Sequence, residues 1–217
     1  MTTSGSLYSN GQPLREIVAQ EIRSRIIAGV YPSGTRLIER NLATEFDVSR
    51  SPVREAIRIL DQEGFVETLS TRGIVVKTLS RREVEELFDI REALEGVASR
   101  LAAERVAGGA ASNLSQFVRS SRDAVTSRDL DTAHDANSAF HDEIILLSGN
   151  GNLQVVLTPL IGRLHWIFRQ VSDFDQVYLE HGILCAAIES GDPKKAAAEA
   201  RKHVLSYRSR TMGYLFG

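Results

Sequence analysis

The apolar residues of this chain recur at helical spacing almost throughout, and strand spacing occurs in one short stretch around residue 70. Before that stretch, turn residues divide the chain into three short predicted helices, over about 13–28, 39–46 and 51–63. The stretch itself contains two short segments rich in β-branched residues, 65–69 and 74–77, which a glycine turn joins as a hairpin. Three helices followed by a hairpin is the order of a winged helix-turn-helix.

Helix-start residues support these boundaries. Ser51 is expected to cap the third helix, with Pro52 at its first position, and the S-x-x-E pair of Ser80 and Glu83 marks the start of a fourth. From Ser80 onward the pattern predicts helices only, over about 80–107, 111–127, 129–148, 151–171, 174–190 and 193–214. Six helices joined by short loops are typical of an antiparallel bundle.

The patterns together predict a mainly α protein in three parts. These are a short disordered arm at 1–11, a winged helix-turn-helix DNA-binding domain at 12–79 and an antiparallel six-helix bundle at 80–217. The composition, 42% hydrophobic and 25% charged, is that of a soluble globular protein. The net charge of −2 neither favours nor excludes nucleic acid, because a small basic patch can lie on a neutral protein.

Several features predict a cytoplasmic protein without membrane contact. No apolar run reaches the 18 residues that indicate a membrane span. The N-terminal residues lack the charged flank and apolar core of a signal peptide. The single cysteine, Cys185, excludes an internal disulfide and fits a reducing compartment.

Arginines line one edge of the third predicted helix. Arg50 directly precedes it, Arg54 lies in its first turn and Arg58 one turn later, while its apolar residues lie on the opposite face. A recognition helix presents its N-terminal side chains to base edges in the major groove in this way. The planar arginine side chain pairs with guanine or with phosphate through two hydrogen bonds.

Two further positions complete the predicted DNA-binding face. Arg40, on the second helix, is placed to contact phosphate, and Arg72 beside Gly73 lies at the hairpin tip, where an arginine can enter a minor groove. Taken singly, each arginine is equally well explained as a solvated side chain on an ordinary small domain. Their joint placement on one face favours DNA binding.

The histidines form a second pattern, since all five follow residue 133. Asn137 and His141 lie four residues apart on one helix face, and His181 and His203 lie on apolar stripes of two later helices. Three imidazoles from three helices can converge inside a bundle and bind a divalent transition metal. From spacing alone, buried histidines that satisfy core hydrogen bonds are the more common outcome.

Motifs in the N-terminal segment add a resemblance. They read P-S-G-T-R-L-I-E-R-N-L-A at 32–43, V-S-R-S-P-V-R-E-A-I at 48–57 and L-D-Q-E-G at 60–64. This segment, roughly 12–78, resembles the GntR family of bacterial transcription regulators. The resemblance implies DNA contacts by Arg40, Arg50 and Arg54, a phosphate contact by Ser51, and a wing that contains Arg72 and Gly73.

The helical segment carries N-S-A-F-H at 137–141, S-G-N at 148–150, E-H at 180–181, G-D at 191–192 and a later histidine at 203. This pattern is similar to the FCD effector domain of the FadR branch of that family, in its shorter, VanR-like form, over 80–214. The resemblance implies a divalent metal, zinc first and nickel or manganese as alternatives, held by Asn137, His141, His181 and His203. Many members carry aspartate where this chain has Asn137, and a neutral amide should weaken cation binding.

Three residues are candidate effector contacts: Arg91, Arg163 and His165. A buried arginine at position 91 suits an anionic effector, and the alternative explanation is a salt bridge with Glu92, Glu95 or a residue of another helix. The leading interpretation is a homodimer that binds a palindromic double-stranded DNA operator and responds to a small organic acid.

The alternative function is a metal-dependent enzyme that uses the three histidines. Such an enzyme needs a general base beside its metal. Glu180 adjoins His181 in sequence, but on an ideal helix the two side chains point about 100° apart. The DNA-binding pattern also has no role in an enzyme.

Overall fold

The computed structural model describes residues 11–70, 73–170 and 174–217, with the side chains at 158 and 159 left out. The chain divides into two compact units, and the division falls between Leu79 and Ser80. The predicted fold class is confirmed: the protein is mainly α, with a winged helix-turn-helix followed by a helical domain. The predicted arm at 1–11 lies, apart from residue 11, outside the described residues.

The described part of the N-terminal unit contains the three predicted helices: α1 (Leu14–Ile27), α2 (Glu39–Glu45) and α3 (Arg50–Gln62). The apolar face of α1 buries Val18, Ile22 and Ile26, and the stripe predicted on α3 is buried as well. Helix α3 packs against both α1 and α2. This packing uses one face of α3 and leaves its arginine face in solvent.

The start of α3 differs from the prediction by two residues. Helix α3 begins at Arg50, and Ser49 stands at the N-cap without a side-chain hydrogen bond, so the assignment of Ser51 as cap is wrong. Asp47, in the turn after α2, adopts a left-handed conformation with φ of 52°. Pro52 therefore lies third in the helix, which is still within the first turn, where a missing backbone N–H breaks no hydrogen bond.

The wing consists of β1 (Val66–Leu69) and β2 (Gly73–Val76), paired antiparallel with Val66 opposite Val76. A third backbone segment joins them, because the N–H of Leu37 donates to the carbonyl of Ile74 at 2.9 Å. Gly73 has φ of +70°, a conformation that favours glycine. The predicted wing residue Arg72 lies outside the described residues.

The C-terminal unit contains the six predicted helices: α4 (Arg81–Ala107), α5 (Leu114–Ser127), α6 (Leu130–Ser148), α7 (Gly151–Phe168), α8 (Phe174–Glu189) and α9 (Pro193–Phe216). The predicted capping box is confirmed, since Ser80 and Glu83 exchange side-chain and backbone hydrogen bonds at the start of α4. Helix α4 packs along α9 and also contacts α6 and α8. Among the described residues, none of the helices is both long and apolar enough to cross a membrane.

The interior of this bundle is not uniformly apolar. Phe140, Ile144, Leu184 and Ile188 belong to its hydrophobic core. Beside them the helices bury a set of polar side chains, which comprises Arg91, Glu95, Asn137, His141, His181 and His203. Burying polar and charged groups costs free energy unless they are paired, so this cluster marks the candidate site of the unit.

Candidate functional site

In the N-terminal unit, the arginines of α3 converge on a carboxylate at the start of α2. Arg54 donates to Glu39 from Nε at 3.2 Å and from Nη2 at 3.1 Å, and Arg50 Nη2 lies 3.7 Å from the same carboxylate. The hydrogen bond from Arg54 lowers the pKa of Glu39. Both arginine side chains remain more than half exposed, at 54% and 63%. Glu39 thus orients two cations that stay accessible to a ligand.

Two more of the predicted DNA-contacting residues lie on helices α2 and α3. Arg40 and Ser51 are exposed in the first turns of α2 and α3. Arg36, which is not among the predicted residues, is also exposed, and its guanidinium lies against Gly73 on the wing. The sequence could have indicated that Arg36 is exposed, because a charged residue alternates there with an apolar one, Leu37, which is buried.

In the C-terminal unit, helices α6, α8 and α9 bring together His141, His181 and His203. One ligand nitrogen from each ring lies within 4.8 Å of the others. The ring centroids are 4.9 to 5.3 Å apart, and each side chain is at most 5% exposed. Side chains from three helices therefore present imidazole nitrogens to one buried point.

Asn137 lies one turn before His141 on α6 and is 2% exposed. Among the described residues, neither its amide oxygen nor its amide nitrogen has a hydrogen-bond partner, and neither ring nitrogen of His181 has one. Leaving such groups buried and unpaired costs about 1–3 kcal/mol each. The unsatisfied atoms fit a bound cation, because imidazole nitrogens suit zinc, copper, iron and nickel.

Arg91 reaches this cluster from α4. Its Nη2 lies 3.0 Å from Nε2 of His141 and 3.2 Å from Nε2 of His203, and its Nε donates to Glu95 at 2.6 Å. Within the described residues its Nη1 has no hydrogen-bond partner. The salt bridge that the sequence left as an explanation of Arg91 is thus present, with Glu95 as the partner.

Burial determines the charge of the rings. It lowers the pKa of His203 to about 4, lowers that of His141, and lowers that of His181 well below its usual range. All three imidazoles are therefore neutral at pH 7, which is the form that binds metals. Burial alone would raise the pKa of Glu95, but the charge of Arg91 beside it outweighs burial, lowers that pKa and holds the carboxyl ionised.

Two carboxylates, whose contacts with the histidines the sequence did not predict, lie on the far side of the imidazole rings from the shared centre. Glu180 Oε2 is 3.0 Å from Nδ1 of His203, and Glu95 Oε1 is 3.3 Å from Nδ1 of His141. The second contact is looser, and among the described residues Nδ1 of His141 has no regular hydrogen-bond partner. Glu180 does not act on its neighbour His181, as expected, and instead crosses to α9.

A small cavity adjoins the cluster and is lined by Arg91, Glu95, His141, His165 and Phe168 together with apolar residues of α6 and α7. It measures about 10 Å³, enough for about one water molecule. His165 Nε2 also lies 3.4 Å from Asp142. Of the predicted effector contacts, Arg91 and His165 lie at this cavity, whereas Arg163 is not among its lining residues.

These two sites define a class of protein. A winged helix-turn-helix with an exposed arginine face, joined to a helical domain with a buried polar site, is a DNA-binding transcription regulator that responds to a ligand. Comparison with known sequences agrees: the profile described as "Bacterial regulatory proteins, gntR family" matches residues 14–76, and that of the FCD domain matches residues 86–206. The chain belongs to the GntR family of bacterial transcription regulators and carries a C-terminal FCD domain.

Individual relatives of this chain are also transcription regulators. The gluconate operon transcriptional repressor of Bacillus licheniformis is 32% identical over 185 residues, which cover 81% of this chain and 75% of that protein. Its counterpart in Bacillus subtilis is 30% identical over 184 residues, with the same coverage. A GntR transcriptional regulator from Rhodococcus sp. RHA1 shares the fold, with a TM-score of 0.79 and 21% identity over 92% of this chain and 97% of that one.

The family resolves the choice of function class. Its members are DNA-binding transcription regulators and not enzymes, so the interpretation of the histidines as a catalytic centre is not supported. The FCD domain is a small-molecule effector-binding domain, and such domains often bind metal.

Proposed function

We propose that this protein is a homodimeric repressor that binds a palindromic operator and leaves it when a small organic acid binds beside a divalent metal in the FCD domain. The observation that carries the proposal is the buried cluster of three neutral histidines with Arg91 and a cavity at its side. The two Bacillus relatives are named as repressors, which favours repression over activation.

At the operator, Arg50 and Arg54 read base edges in the major groove, and Arg40 and Ser51 contact phosphate. Their exposure at the first turns of α2 and α3 supports these roles. We assign minor-groove contacts to Arg72 and Gly73. A regulator of this kind acts in the cytoplasm, where its DNA is.

The metal is zinc, with nickel as the next choice. His141, His181 and His203 supply neutral nitrogen donors, and the amide oxygen of Asn137 supplies the fourth ligand atom. Manganese prefers carboxylates and other oxygen ligands, so this set favours it least. Bound metal contributes positive charge beside the cavity and so attracts an anion.

The effector is a carboxylate, and a sugar acid is the class we propose first, since both relatives are named for a gluconate operon. Nη1 of Arg91 is available as a donor, and His165 lies on the cavity wall. The cavity is too small for such a molecule, so side chains that line it must move when the effector enters. A ligand that prefers one arrangement of the bundle shifts the protein toward it and so changes DNA affinity.

Elemental analysis of protein purified without a histidine tag tests the metal directly. We expect zinc at substoichiometric to full occupancy, and lower zinc occupancy in His181→Ala than in the wild type. If no metal is found and added zinc or nickel does not raise the melting temperature, the histidines contact the effector or the core instead. Operator binding rests on other residues and would survive that result.

A further inference from the structure

We propose that Glu180 is a positioning residue of the metal centre, which holds His203 with Nδ1 protonated and Nε2 directed at the shared centre. Its carboxylate also supplies the negative charge that Asn137, as a neutral amide, does not. This inference rests on the proposed metal site.

The tautomer of His203 follows from contacts on both sides of its ring. A guanidinium can only donate hydrogen bonds, so Arg91 Nη2, 3.2 Å from Nε2 of His203, requires a lone pair on Nε2. A neutral imidazole with a lone pair on Nε2 carries its proton on Nδ1. That Nδ1–H donates to Glu180 Oε2 at 3.0 Å. The lone pair on Nε2 of His203, which accepts the hydrogen bond from Arg91, is the one that a metal would use.

Glu180 is itself held by several donors. Arg210 donates to its two oxygens at 2.8 and 2.9 Å, and Ser206 donates to Oε1 at 2.7 Å. Arg210, Ser206 and His203 all lie on α9, whereas Glu180 lies on α8 directly before His181. The carboxylate therefore fixes the register of the two helices that carry His181 and His203.

The charge of Glu180 matters because the four ligand atoms carry none. A carboxylate that accepts the second N–H of a metal-bound histidine raises the basicity of the ring and fixes its orientation. Glu95 acts in the same direction on His141, through the looser contact at 3.3 Å. The negative charge of this site thus lies on Glu180 and Glu95, which contact the Nδ1 atoms of His203 and His141, and not on residue 137.

Zinc affinity, measured by competition with a chromophoric chelator, tests this role. We expect Glu180→Gln to weaken zinc binding about 10–100-fold, the usual cost of losing such a partner. The matched control is Glu199→Gln, which lines the same surface groove but pairs with Lys202, and which should leave the affinity within about twofold. Asn137→Asp in the Glu180→Gln background should restore most of the loss, because it returns one negative charge.

A second measurement does not depend on a variant that folds. Long-range hydrogen–nitrogen NMR of the histidine rings in the zinc-loaded wild type should show His203 bound through Nε2 and protonated at Nδ1. Coordination of His203 through Nδ1, or equal zinc affinity of Glu180→Gln and the wild type, overturns the proposal and leaves the metal site standing. A wild-type protein that takes up no zinc overturns both.

Discussion

At the scale of single residues, the role that we propose for Arg54 is the reading of a base edge in the major groove. Its guanidinium is held by Glu39 yet is more than half exposed, so it can meet a base edge without losing packing. Arg54→Ala should weaken binding to the specific operator by about 1–3 kcal/mol and relax base preference. Gel shifts on operator and scrambled DNA measure both effects.

Arg40→Ala is the matched comparison for that experiment. Arg40 is exposed at the start of α2 and is assigned to phosphate, so its loss should weaken binding to all sequences and reduce the dependence on salt. An equal loss on operator and scrambled DNA for Arg54→Ala would contradict base reading by that residue.

The buried histidines predict how stability depends on pH. Burial lowers the pKa of His134 and of His203 to about 4 and lowers those of His141 and His181, whereas in the unfolded chain each ring titrates near 6.5. Between these values the unfolded chain binds more protons than the folded protein, so the free energy of unfolding falls as pH falls. Thermal unfolding of chelator-treated protein should show a melting temperature that decreases from pH 7 toward pH 4.5. A flat profile would show that the rings are not buried as described.

The same lowered pKa values refine an expectation drawn from the sequence. An unperturbed histidine predicts that metal is lost below about pH 6.5. Because burial keeps the rings neutral in more acidic solution, proton competition for the metal should begin at a lower pH than that.

At the scale of elements, periodicity and caps predicted every helix and both strands of the described residues within a few positions. Interactions inside one helix, such as the capping box at Ser80 or the spacing of Asn137 and His141, follow from the distance along the chain. The contact from Glu180 to His203 depends on the register between α8 and α9. The spacing of residues within one helix does not predict that register. The two-residue error at α3 lies beside a turn in which Asp47 takes a rare conformation.

The capping box makes a prediction for α4. The Ser80 side chain accepts from the backbone N–H of Glu83, and the Ser80 backbone N–H donates to the Glu83 carboxylate at 2.9 Å. Ser80→Ala should therefore lower the free energy of unfolding by about 1 kcal/mol. Ser209→Ala, an exposed change within α9, is the control and should leave stability within about 0.5 kcal/mol. Equal effects of the two changes in urea unfolding would mean that the cap does not stabilise α4.

At the scale of the whole molecule, a palindromic operator requires two reading heads related by a two-fold axis. We therefore expect a dimer in solution at micromolar concentration. Sedimentation velocity with and without operator DNA measures this, and a monomer under both conditions would contradict the proposal.

The central claim is that a ligand in the FCD domain controls DNA binding by the winged helix-turn-helix. Fluorescence anisotropy with labelled DNA from upstream of the gene, titrated with gluconate and related organic acids, measures it most directly. For the zinc-loaded wild type we predict a loss of DNA affinity of about 5–150-fold on adding the active acid, which is the usual range of such coupling. In His181→Ala that acid-dependent loss should disappear. Release of DNA by the acid to the same extent from both proteins, or from neither, would contradict the account.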